Sequence, residues 1–86
     1  MSQWAKEEKP VYAFRKNALE EVRVKIVTLH DGKKMLDIRV FVENVSGEFV
    51  PTKKGIMFDI ASLSELEKGV QALRKEIGED TKTDLT

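Results

Sequence analysis

The sequence predicts an α+β domain in which four antiparallel strands precede one C-terminal helix, in the order β-β-β-β-α. Three observations carry that expectation. Residues 21–30 and 34–43 alternate apolar and polar side chains with a period of two, and an Asp-Gly pair lies between them. Residues 56–60 repeat the alternation. From Ser62 the apolar spacing then changes to three and four, the period of a helix.

Each element has its own signature. Met1 to Lys9 is polar and charged apart from the first residue, Trp4 and Ala5, and reads as a flexible tail in which Trp4 is a candidate docking aromatic. Val11-Tyr12-Ala13-Phe14 is a short strand candidate, and Asn17 falls in the break after it. Val22, Val24 and Ile26 share one face of the next strand, with Arg23 and Lys25 opposite. Val27 and Leu29 extend apolar character to the second face, so that end is expected to be covered on both sides or to bend. His30-Asp31-Gly32-Lys33 supplies the hairpin turn. In the following strand Leu36, Ile38, Val40 and Val42 share a face, and Met35, Asp37, Arg39 and Phe41 share the other.

Asn44 to Glu48 reads as a second turn, Phe49-Val50 as a short extension before Pro51, and Thr52 to Gly55 as a basic loop. Ile56 to Ala61 gives the fourth strand. Ser62 and Glu65 have capping-box spacing. Leu63, Leu66, Val70, Leu73 and Ile77 form one helical stripe that belongs to a core or a dimer interface, and Gly78 suits the position past the helix end. The expected layout is a tail over 1–9, a domain over 10–78 with the helix covering the sheet, and a polar tail over 79–86.

Composition narrows the function. The chain has 86 residues, of which 41% are apolar and 35% charged, and 15 basic side chains balance 15 acidic ones. One small core fits that length, and association is a natural source of added stability. Without cysteine there is no disulfide, no thiolate chemistry and no finger-type zinc site. The longest apolar run is the four residues from Val11 to Phe14, far short of the roughly 20 needed to span a bilayer. The first residues lack the apolar stretch of a signal peptide, so an intracellular protein without a membrane is expected, cytoplasmic or nucleoid-associated in a bacterium and nuclear in a eukaryote. The neutral total hides a gradient. Residues 22–54 carry an excess of three positive charges and residues 55–86 an excess of three negative ones.

Catalysis finds no support. The single histidine, His30, sits at a hairpin with only Asp31 beside it. Glu20-Glu21 and Glu79-Asp80 fall where nothing desolvates them. Gly32-Lys33-Lys34 lacks the earlier glycine of a phosphate loop, since Val27 stands there. Metal-ligand spacing is absent, and no enzyme, metal or cofactor is expected. The constellation that remains is basic and aromatic. Arg23, Lys25, Arg39 and Phe41 occupy odd positions on two strands joined by one turn, so they can project from one face. Lys33 and Lys34 flank that turn, and Lys53 and Lys54 lie in the later loop. Cations that track a backbone, with an aromatic to stack a base, are what sequence-tolerant single-strand binding needs. The same pattern fits a solvated face with Phe41 in a second core or an interface.

Leu36-Asp37-Ile38-Arg39-Val40-Phe41, then Gly47-Glu48 and Pro51-Thr52-Lys53-Lys54-Gly55-Ile56 ahead of a helix, resembles the transcriptional positive-cofactor-four family of single-stranded-DNA-binding coactivators. Phe14-Arg15-Lys16-Asn17 followed by Glu20-Glu21-Val22-Arg23-Val24 is similar to its bacterial branch. The resemblance spans about residues 11–77. It implies a curved four-stranded sheet with a C-terminal helix, assembled as a homodimer whose sheets hold melted DNA in antiparallel channels, with no catalysis and no cofactor. It also implies contacts to the transcription machinery.

By the resemblance Arg39 matches a DNA-contacting arginine, Lys53 and Lys54 the basic pair before Gly-Ile, and Lys33 a lysine after the hairpin glycine. His30 falls where members place a stacking phenylalanine and Val42 where they place a stacking tryptophan. Thr28 and Asp31 fall at basic positions. His30 can still stack, whereas Val42 cannot, so weaker stacking and a larger electrostatic share are expected. The expected nucleic-acid-binding set is therefore Arg23, Lys25, His30, Lys33, Lys34, Arg39, Phe41, Lys53 and Lys54. Single-stranded RNA in place of DNA, and a protein-interaction module that keeps the fold without binding DNA, are the alternatives.

Overall fold

The computed structural model describes residues 5–78. Four strands, β1 (Ala5–Arg15), β2 (Glu20–Leu29), β3 (Lys34–Glu43) and β4 (Phe49–Asp59), form one antiparallel sheet in the order β1-β2-β3-β4. A 3-10 turn over Ile60–Ser62 leads into the helix α1 (Leu63–Glu76). Trp4 and the polar stretch 79–86 lie outside the described residues.

The two later hairpins close with the same turn. Gly32 N–H donates to Leu29 C=O at 2.9 Å, and Leu29 N–H donates to Lys33 C=O at 2.9 Å. Gly47 N–H on Asn44 C=O and Asn44 N–H on Glu48 C=O repeat the pattern at 3.0 and 2.8 Å. Both glycines take positive φ, +89° and +83°, and among the described residues no other residue type does. A three-residue loop with glycine in the left-handed position is therefore built twice. The β2–β3 hairpin fixes an uninterrupted register that sets Arg23 opposite Arg39, Lys25 opposite Asp37 and Val24 opposite Ile38.

The two faces separate by chemistry. On one, Val22, Val24, Ile26, Leu36, Ile38 and Val40 stand in opposed apolar pairs, extended by Ile56 and Phe58 from β4 and by Tyr12 and Phe14 from β1. On the other stand Glu21, Arg23, Lys25 and Val27 against Phe41, Arg39, Asp37 and Met35. Few side chains are fully enclosed. Ala5, Val27, Leu36 and Phe41 are the buried apolar residues and Asp37 the buried charged one. The molecule measures 44 × 35 × 18 Å, so its short dimension accommodates little more than a single layer.

Several expectations are corrected. The first strand starts at Ala5, so Lys6 to Lys9 are not part of a tail. A proline and four charged residues are tolerated there because β1 is an edge strand with register shifts at Ala5/Glu7 and Pro10/Tyr12. Phe49 to Asp59 is one continuous strand rather than an extension, a loop and a strand. Its basic segment is an irregularity in pairing: Arg39 faces Gly55 and Phe41 faces Pro51, leaving Thr52, Lys53 and Lys54 against Val40 alone. Ser62 makes no side-chain cap bond, because it ends the 3-10 turn with helical φ and ψ of −82° and −1° rather than the extended conformation of an N-cap. The helix also does not cover the sheet. None of its residues is buried, and Leu63, Val70, Leu73 and Ile77 are all exposed. Its end does follow expectation, with Gly78 one residue past the C-cap Ile77.

Candidate nucleic-acid interface

The polar face carries a row of alternating cations and aromatic rings. The Arg15 guanidinium lies 5.2 Å from the centre of the Phe49 ring. Arg23 sits between two rings, 5.6 Å from Phe49 and 4.4 Å from Phe41. Lys25 Nζ lies 5.7 Å from Phe41. The row runs Arg15, Phe49, Arg23, Phe41, Lys25 and draws on all four strands. Such contacts contribute roughly 0.5–2 kcal/mol each, the larger values where water is excluded. Here their main effect is to hold long side chains flat against the sheet.

Each row cation on β2, and Arg39 beside it, also holds a carboxylate. Arg23 Nε donates to Glu21 Oε1 at 2.7 Å and Lys25 Nζ to Glu8 Oε1 at 2.5 Å. Arg39 Nη2 donates to Asp37 Oδ1 at 2.9 Å, and its Nη1 donates to Thr52 C=O at 3.0 Å. Thr52 in turn donates its hydroxyl to Val40 C=O at 2.8 Å and accepts the Lys54 N–H at 3.1 Å. Arg39 therefore ties buried Asp37 to the irregular segment of β4 and fixes the backbone on which Lys53 and Lys54 stand.

Gly55 makes this arrangement possible. A Cβ there would meet Ile38 O at 2.6 Å, Arg39 Cα at 2.9 Å and the Arg39 guanidinium carbon at 3.0 Å. No side chain fits between the strands at this position, which explains the glycine without any special φ.

The remaining basic residues lie at the margins. Lys33 Nζ is 3.2 Å from Asp59 Oδ1 and Lys54 Nζ is 4.0 Å from Glu20 Oε2. Lys34 and Lys53 are exposed and take part in none of the described ion pairs. His30 is exposed on the hairpin loop. Glu20 accepts from Lys16 Nζ at 2.8 Å and Asn17 Nδ2 at 2.7 Å. Those two hydrogen bonds, with the Lys16 and Lys54 charges, hold its carboxyl below the usual range. Between β1 and the row opens a groove of about 590 Å³, lined by Pro10, Val11, Ala13, Arg23, Lys25 and Phe41, with Glu8 and Glu21 among the flanking residues.

Arg23, Lys25, Arg39 and Phe41 thus share one face, as their odd numbering implies, with Lys33 and Lys34 at one end and Lys53 and Lys54 beside Arg39. Phe41 is not presented for stacking. It is 7% exposed, with Arg23 and Lys25 over its ring. Arg15 and Phe49, absent from the expected set, belong to the row. The same parity could have located them, since Arg15 pairs with Glu21 and Phe49 with Glu43. Among the described residues, no group of three His, Asp or Glu side chains is placed to hold a metal ion, and no helix is long and apolar enough to cross a membrane.

The chain matches the transcriptional coactivator p15 (PC4) family over residues 16–69, more than half its length. It belongs to that family. Two crystal forms of a PC4 homolog from Burkholderia pseudomallei superpose with TM-scores of 0.70 and 0.72 at 25% identity. They cover 78% and 83% of this chain and 97% and 95% of that one. A bacteriophage T5 homolog of PC4, implicated in recombination-dependent DNA replication, has the same fold. Its TM-score is 0.72 at 19% identity, over 91% of this chain and 89% of that one. No curated protein sequence matches the chain. The family match begins at Lys16, directly after β1.

Proposed function

We propose that this PC4-family chain is a non-enzymatic, homodimeric, coactivator-like protein of the cell interior. It grips melted, single-stranded DNA across the polar face of its sheet during transcription or DNA maintenance. The observation that carries the reading is the placement of Arg23 opposite Arg39 on one face, with Lys25 beside them and Lys33, Lys34, Lys53 and Lys54 at its margins. The marginal lysines and Arg39 can follow a phosphate backbone without reading its sequence. Exposed Lys34 and Lys53 make first contact, and His30 at the loop is placed to stack. Membership of a coactivator family and the replication role described for the phage homolog support the setting and the transcription machinery as a partner.

The dimer rests on the helix. Isolated helices shorter than about 12–15 residues are marginal in water and depend on packing of their apolar face. α1 has 14 residues, and none of them is buried among the described residues of the protomer. A second copy supplies that cover, since the half-exposed apolar face of the sheet and the stripe of α1 are complementary in character.

Fluorescence anisotropy with labelled oligo-dT, the matched duplex and the matched RNA, across a salt series, tests the reading. Single-stranded DNA is expected to bind more tightly than duplex, with an affinity that falls as salt rises. Tighter binding to RNA would reassign the ligand. The carboxylates bound to Arg23, Lys25 and Arg39 favour a second reading, a protein-interaction module with a self-neutralised face, which binding to no oligonucleotide at low salt would support.

A further inference from the structure

Arg23 is poorly placed to act as a phosphate clamp. Its Nε is already bound to Glu21 at 2.7 Å, so the pair adds little net charge. Its guanidinium carbon lies 4.4 Å from the centre of the Phe41 ring and 5.6 Å from that of Phe49. Its side chain nevertheless remains 37% exposed and borders the groove of about 590 Å³ between β1 and the row. That volume lies within the roughly 300–1,000 Å³ of small-ligand sites. The groove walls are mainly apolar, from Pro10, Val11, Ala13 and Phe41, and its charged lining is paired within the protein, Glu21 with Arg23 and Glu8 with Lys25. A phosphate meets no unpaired cation there. A flat, largely apolar nucleobase is suited to the groove.

We infer that this groove is a base-binding subsite in which one nucleobase of the bound strand stacks on the outer face of the Arg23 guanidinium. Phe41 and Phe49 back the platform, and Glu21 fixes its plane. Guanidinium planes stack bases as aromatic rings do. The platform gives buried Phe41 a positioning role through Arg23 instead of direct contact. The outer wall is contributed by β1. The inference rests on the single-strand reading above.

The test compares the full-length protein and its R23K variant on two labelled strands of equal length, oligo-dT and an abasic strand, at several salt concentrations. The unmodified protein is expected to favour the base-containing strand by about 5–10-fold. R23K keeps a charge but not a plane, so this ratio is expected to fall to within twofold while the salt slope stays unchanged. A13L narrows the groove opposite Arg23 without altering charge and is expected to abolish the ratio as well. A ratio retained in both variants, or an R23K salt slope reduced as by loss of a phosphate contact, overturns the subsite while leaving single-strand binding intact. Binding of neither strand by the unmodified protein overturns the single-strand reading itself.

Discussion

Replacing Gly55 with alanine tests the packing that positions the basic segment. The added Cβ would lie 2.6 Å from Ile38 O and 2.9 Å from Arg39 Cα, both backbone atoms of β3. Neither can swing aside, so β4 must separate from β3 or the pairing must slip. Overpacking of this kind costs about 1–3 kcal/mol, and more where backbone has to shift. The gain from stiffening the unfolded chain is only about 0.4–1 kcal/mol. The Arg39 guanidinium carbon, 3.0 Å from the same Cβ, is displaced too, and with it the hydrogen bond to Thr52 C=O at 3.0 Å. Loss of a charged hydrogen bond contributes about 1.5–3 kcal/mol at full strength, less at a site one-fifth exposed like this one. A net destabilisation of about 2–4 kcal/mol is expected. Urea unfolding followed by circular dichroism at one fixed protein concentration measures it. With a slope of about 1.5 kcal/mol/M the midpoint falls by roughly 1.5–2.5 M. A midpoint unchanged within about 0.3 M, or raised, would refute the argument, because it would mean the strands do not approach this closely.

Three further expectations follow from the same geometry. Substituting Leu73, which is 65% exposed in the protomer, with glutamate is expected to halve the mass seen by sedimentation and to melt α1, whereas a stripe that contacts solvent alone would tolerate it. Changing Lys34 and Lys53 together to glutamine is expected to reduce the salt slope of single-strand binding by about 1.4, at about 0.7 per phosphate contact. An unchanged slope would place the phosphates elsewhere. Because the folded-state pKa of Glu20 is lowered by Lys16 and Asn17, its contribution is fully present above its ordinary value of 4.5 and is lost as pH falls through the lowered value. Amide protection factors at residues 16–20, corrected for the intrinsic pH dependence of exchange, are therefore expected to fall on acidification below that range, and E20Q is expected to abolish this pH dependence.

Legibility of the sequence followed the physics of each element. Residues 21–43 were readable because strict alternation and a glycine turn together dictate both face and register, and a slip of one residue would turn every apolar side chain outward. Arg23 and Arg39 could be placed together for that reason. Val11 to Phe14 is legible as a strand, but the first half of β1 is hidden because an edge strand pairs on one side only, so Lys6-Glu7-Glu8-Lys9-Pro10 need not alternate. The helix stripe was readable as apolar, but its partner was not, since periodicity marks a face without naming what covers it. A covered Phe41 is one of two readings that the sequence leaves open, because parity gives the face but not what lies above it. The ring is closed over by Arg23 and Lys25, whose own long stems reach across β2 and β3. The pairing of Arg23 with Glu21 and Arg39 with Asp37 was available in principle, as each is a two-residue step along one strand face.

The central claim is that a row of cations on one sheet face holds unpaired DNA. Its most direct measurement is the affinity of the intact protein for oligo-dT and for the matched duplex as salt is raised. Tighter binding of the single strand, declining along a linear plot of log affinity against log salt, is the expected result. Equal or tighter binding of the duplex, or no binding of either at low salt, would contradict it.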